Sequence, residues 1–127
     1  MSSRLILTLS AFVLAVLGAV TMFAPHELAS AVDPSASPSA AALIQTAGSA
    51  LIAVAVLNWM SRGNRIGGIY GRPLAVGNLL LFTSASLSLG KAAAAGSLPE
   101  TSLALCALLG GLAASFAWLT FVHDPLA

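Results

Sequence analysis

The chain has 127 residues, of which 58% are hydrophobic and only 7% are charged, whereas a soluble domain carries about 25% charged residues. A net charge of +1 leaves no basic surface for nucleic acid. The single cysteine, Cys106, excludes an intramolecular disulfide and cysteine-based metal sites. The composition therefore indicates an integral membrane protein, and the lipid bilayer is its expected partner.

Four apolar stretches are long enough to cross a hydrocarbon core of about 30 Å, which takes about 20 helical residues. They are Leu5–Ala24, Ala40–Met60, Leu74–Ala95 and Thr101–Val122. Their apolar character is continuous rather than amphipathic, as in lipid-facing helices. The strongly polar members are Gln45, Asn58, Asn78 and Lys91. The sequence predicts one all-α membrane domain, a transmembrane four-helix bundle with up-down-up-down topology.

The connections differ in composition. Residues 25–39 hold three prolines and small polar residues, which is typical of an exposed outer loop. Residues 61–73 form a loop rich in Gly and Arg, and Pro73 suits the first turn of the third helix. The short segment 96–100 makes the last two helices antiparallel neighbours, with Ser97 or Thr101 as the candidate helix cap.

The basic residues predict the orientation, because cytoplasmic loops are enriched in Lys and Arg. One side of the predicted topology carries four arginines, and the other carries only Lys91. Both termini and the loop 61–73 are therefore expected in the cytoplasm, and the membrane is the inner membrane if the source is bacterial. The alternative is that the first stretch is a secretory signal cleaved near Ala29-Ser30-Ala31.

A polar face is predicted inside the membrane. On the third helix the spacing of seven, four and three residues places Gly77, Ser84, Ser88 and Lys91 on one side. Gln45 lies at a similar depth on the second helix, where it can bond Lys91 or a neighbouring backbone. One interpretation is a polar crevice with Lys91 at its mouth. The other is a lysine that extends to the headgroups beside small packing residues.

A second polar cluster surrounds the cytoplasmic loop. It gives the candidate residues for binding an anion or a phospholipid headgroup, which are Asn58, Arg62, Arg65, Tyr70, Arg72 and Asn78. The alternative is that the arginines only set the orientation of the chain. The two histidines, His26 and His123, are predicted at opposite membrane faces, so no metal site and no cofactor are expected.

The stretch NWMSRGNRIGGIYGRPLAVGN, residues 58–78, resembles a group of small, functionally uncharacterised bacterial four-helix membrane proteins. The shared features are the tryptophan, the Gly-Gly-Ile-Tyr turn, the Arg-Pro helix start and the following Asn. This local resemblance implies a shared fold and loop, but no activity. A distant likeness to DoxX-like proteins rests on size and topology alone.

These patterns favour a non-catalytic membrane protein that binds lipid or a partner, or serves as an accessory subunit. The alternative is a small transporter or anion channel, which would be a homodimer because four short helices rarely enclose a path. The run 82–86 and Asn78 faintly resemble the filter residues of small fluoride channels. Small multidrug exporters are discounted, because they need an acidic residue in the first helix and Leu5–Ala24 has none. An enzyme is not expected, because no paired carboxylates or nucleophile–base arrangement occurs at one depth.

Overall fold

The computed structural model describes residues 2–64, 71–99 and 101–122. Within these ranges the chain forms five helices and no strands, α1 (Ser3–Phe23), α2 (Pro25–Val32), α3 (Pro38–Met60), α4 (Gly71–Ala94) and α5 (Ser102–Phe121). Four of them, α1, α3, α4 and α5, are long and apolar enough to cross a membrane. The predicted all-α fold is confirmed, and the four long apolar helices are compatible with a multi-pass membrane protein.

The structure differs from the prediction in the connection between the first two long helices, where residues 25–32 form the short helix α2 rather than a loop. Pro25 stands at the start of this helix, where its fixed φ is favourable and its missing N–H costs no hydrogen bond. Glu27 lies in the first turn, where a negative charge complements the helix dipole. Pro25 and Glu27 are thus sequence signals for a helix start. They lie in the segment 25–39, which was predicted to be a loop because of its prolines.

The chain divides into two compact units, and each is described by itself. In the unit formed by residues 7–60, α1 and α3 are antiparallel, because residues late in α1 meet residues early in α3 and the reverse. Gly18 lies against Ile52, and Ser10 contacts Asn58. Helix α2 packs on α3 within the same unit.

The other unit consists of residues 1–6 and 61–127 and contains the antiparallel pair α4 and α5. Its centre is a stack of two fully buried rings, Phe82 and Phe116, with centroids 5.7 Å apart. Farther along the same helix pair, the Sγ of Cys106 lies 3.1 Å from the carbonyl oxygen of Ser86. Aromatic pairs of this kind add about 0.5–1.5 kcal/mol to the burial of their surface.

The turn between α4 and α5 explains why the two helices are antiparallel. Gly96 has a φ of +78°, a left-handed conformation that glycine adopts without steric cost. The N–H of Ser97 donates to the carbonyl of Ala92 (3.0 Å), and that of Gly96 donates to Ala93 (3.1 Å). This pair of bonds is a Schellman motif, which ends α4 and reverses the chain. Thr101 stands at the predicted cap position of α5 but makes no side-chain cap bond.

Candidate functional site

An open apolar groove runs between α1 and α3 and has a volume of about 480 Å³, within the range of small-molecule sites. Its floor includes two alanines, Ala11 and Ala55, each only 4% exposed. Because alanine is short, the floor is recessed between larger side chains. Those walls are exposed hydrophobic residues, namely Leu9, Phe12, Val56 and Trp59. Thr8, Ala15 and Ile52 complete the lining.

The groove is closed at one end by a close approach of the two helix backbones. A Cβ atom added to Gly18 would lie 2.6 Å from Cγ1 of Ile52 and 3.0 Å from the carbonyl oxygen of Gly48. A Cβ atom added to Gly48 would lie 2.7 Å from the backbone nitrogen of Met22. Only glycine permits this separation, because any side chain would force the helices apart.

A hydrogen bond on each side of this contact holds the helix pair. On the side away from the groove, Nε2 of Gln45 donates to the carbonyl of Met22 (3.3 Å). On the groove side, Nδ2 of Asn58 donates to Oγ of Ser10 (3.0 Å), and both residues are fully buried. Ser10 in turn donates to the carbonyl of Leu7 (3.0 Å). Interhelical bonds of this kind contribute about 0.6–2 kcal/mol in membrane proteins.

The structure places the predicted headgroup residues in different surroundings. Asn58 is buried against Ser10, and Asn78 is 1% exposed with its Nδ2 donating to the carbonyl of Leu74 (3.0 Å). Arg62 is half-buried in the turn after α3, and Arg72 is exposed in the first turn of α4. Arg65 and Tyr70 lie outside the described residues.

The predicted polar face of α4 is exposed along its length, at Gly77, Ser84, Ser88 and Lys91. A side chain added at Gly77 would meet no atom within 4 Å. The hydroxyl of Ser84 donates to the carbonyl of Leu81 (3.2 Å) on its own helix. Lys91 lies in the last turn of α4, where a cation complements the helix dipole. Of the two bonds considered for Gln45, the structure shows the one to a neighbouring backbone.

The connection between α2 and α3 contains a local hydrogen-bonded turn. The carboxylate of Asp33 accepts bonds from the hydroxyl (2.7 Å) and the backbone N–H (3.0 Å) of Ser35. These donors stabilise the charged form, and the hydroxyl contributes most to lowering the pKa of Asp33 below its usual value. The turn orders the chain between α2 and α3.

Sequence reasoning did not find the groove, Ser10 or the contact between Gly18 and Gly48. One signal was available. Ala11, Ala15 and Gly18 recur at spacings of four and three on α1, and Gly48 and Ala55 are seven residues apart on α3, which puts each set on one helix face. Small residues on one face of a membrane helix mark close packing. The spacing within each helix does not identify which helix is its neighbour.

Groups of three or more His, Cys, Asp or Glu residues able to hold a metal ion do not occur in the described ranges. No family model matches the chain, and neither a curated protein nor a solved structure matches it.

Proposed function

We propose that the protein is a non-catalytic membrane protein that binds the acyl chain of a membrane lipid in the groove between α1 and α3. The observation that carries the proposal is the groove itself, with its recessed alanine floor and its walls of exposed hydrophobic side chains. The groove lies along two helices suited to spanning a bilayer. Its surroundings are then hydrocarbon, and the occupant with matching chemistry is an acyl chain.

Charge complementarity favours an anionic headgroup on that lipid. Trp59 stands next to the end of α3, and Arg62 follows three residues later along the chain. Residues 61–73 contain three arginines and no acidic residue. Basic segments next to a membrane helix attract anionic lipids, by about 1 kcal/mol per Lys or Arg. With the orientation expected from the positive-inside rule, the lipid belongs to the cytoplasmic leaflet.

The hydrophobic effect does not drive this binding, because a lipid tail leaves one apolar environment for another. The groove instead binds by shape, since a chain seated on the alanine floor contacts both helices and both walls. Each carbon–carbon contact contributes only about 0.1–0.2 kcal/mol. A selective site therefore needs many contacts, and a recessed groove provides more of them than a convex helix surface.

Native mass spectrometry of the protein released from nanodiscs tests the proposal. The nanodiscs contain phosphatidylglycerol and phosphatidylcholine in equal amounts. The wild-type protein is expected to retain a lipid, with phosphatidylglycerol enriched. Phe12→Ala removes a groove wall and is expected to lower retention by roughly threefold to tenfold, which corresponds to about 0.7–1.4 kcal/mol.

The matched control is Phe23→Ala, because Phe23 is also an exposed phenylalanine of α1 but lies outside the groove. Equal retention by the two variants, or a wild-type protein that retains no lipid, would contradict the proposal. The same spectra report mass, so a second copy or a partner protein on the chain would appear directly. Arg62→Gln is expected to reduce the preference for phosphatidylglycerol without abolishing lipid retention.

A further inference from the structure

We infer that the groove selects acyl chains by length and favours chains shorter than one leaflet. The inference rests on the proposed lipid binding and concerns which lipid the site prefers. Its basis is the position of the closed end of the groove relative to the end of α3.

The length of the groove follows from its lining residues. They run from Thr8 to Ala15 on α1 and from Ile52 to Trp59 on α3. Seven residues at a helical rise of about 1.5 Å give a length of roughly 10 Å. One leaflet of hydrocarbon is roughly 15 Å deep, half of the core of about 30 Å. The groove therefore covers about two thirds of a leaflet.

The closed end follows the last lining residues within one helical turn. Ile52 lines the groove and also lies against Gly18. The next turn brings Gly18 close to the carbonyl of Gly48, where no space for a chain remains between the helices. A chain that enters beside Trp59 thus stays in contact with both helices only as far as Ala15 and Ile52.

A longer chain has to leave the groove at this point. Its terminal carbons then lie against a rigid, convex helix surface. There they make fewer contacts than carbons that are surrounded on all sides by mobile lipid tails. A chain whose terminal methyl ends at Ala15 fills the groove without this loss. The site consequently distinguishes lipids that have the same headgroup but different tails.

The test uses nanodiscs that contain an equimolar mixture of phosphatidylglycerols with decanoyl, lauroyl, myristoyl and palmitoyl chains. Native mass spectrometry then compares the retained lipids with the mixture. We expect the decanoyl or lauroyl lipid to be enriched over the palmitoyl lipid by roughly fivefold, the effect of about ten lost contacts.

Ala15→Leu tests the position of the closed end. Ala15 is exposed, so the larger side chain extends into the groove without disturbing the buried floor. We expect this variant to shift the preference further toward the shortest lipid. Ala53→Leu is the matched control, since Ala53 is exposed on α3 and lies outside the groove, and it is expected to leave the preference unchanged.

The outcomes separate the inference from the proposal on which it rests. Retention of lipid with no dependence on chain length, or an equal effect of Ala15→Leu on all four lipids, overturns length selection and leaves lipid binding intact. A wild-type protein that retains none of the four lipids overturns both. A preference that shifts with Ala15→Leu but not with Ala53→Leu supports both.

Discussion

Substituting Gly48 with alanine tests the close contact between α1 and α3. The added Cβ would lie 2.7 Å from the backbone nitrogen of Met22 and 3.0 Å from the carbonyl carbon of Thr21. These are backbone atoms, so the helices have to move apart. Such overpacking costs about 1–3 kcal/mol, whereas alanine gains about 0.5–1 kcal/mol over glycine in a helix. The expected net effect ranges from neutral to a loss of about 2.5 kcal/mol.

Gly77→Ala is the matched control, because a Cβ added to Gly77 meets no atom within 4 Å. It keeps the gain in helix propensity and lacks the clash. The difference in unfolding free energy between Gly48→Ala and Gly77→Ala therefore isolates the overpacking cost, about 1–3 kcal/mol. Reversible unfolding in mixed micelles, followed by circular dichroism, measures it. If the two variants were equally stable, the described contact between α1 and α3 would be refuted.

Three further perturbations address other parts of the chain. Asn58→Ala is expected to cost about 0.6–2 kcal/mol, and a double-mutant cycle with Ser10→Ala should show coupling, which independent sites would lack. Phe116→Ala removes a fully buried stacked ring, so the same assay should show a loss of about 3–5 kcal/mol in unfolding free energy. A loss below about 1 kcal/mol would contradict the stacked arrangement. The pKa of Asp33 is lowered in the folded chain. The turn therefore stabilises the fold at pH values above the unfolded-state pKa, and this stabilisation is lost as the pH falls through the folded-state pKa. Carboxyl NMR titration should give a lower pKa for Asp33 in the wild type than in Ser35→Ala.

The anion-channel alternative is open to a direct measurement. A channel would carry halide across liposomes that contain the protein, and Asn78→Ala would change the flux if Asn78 belonged to its path. The lipid-binding proposal predicts halide flux no greater than that of empty vesicles. Flux above that level which responds to Asn78→Ala would favour the channel.

The sequence alone was sufficient to predict the membrane class and the four long helices. Their predicted ends lie within three residues of those in the structure, because long apolar runs have one stable form in hydrocarbon, the helix with its internal hydrogen bonds. The antiparallel hairpin of α4 and α5 was predictable from the short segment 96–100 for a similar reason, since so few residues permit only a reversal. Local sequence and solvent decide these features.

Only the tertiary structure decided where the candidate site lies. The sequence drew attention to charged and amide residues, whereas the groove is built from alanines and ordinary hydrophobic residues such as Ala11, Ala55 and Phe12, which recur throughout the chain. Their significance depends on which helix lies opposite. Hydrophobic residues occur all around these helices rather than on one side, so no hydrophobic stripe identifies the partner. The separation of the helices is fixed at Gly18 and Gly48, residues that are 30 positions apart in the sequence and meet only after folding.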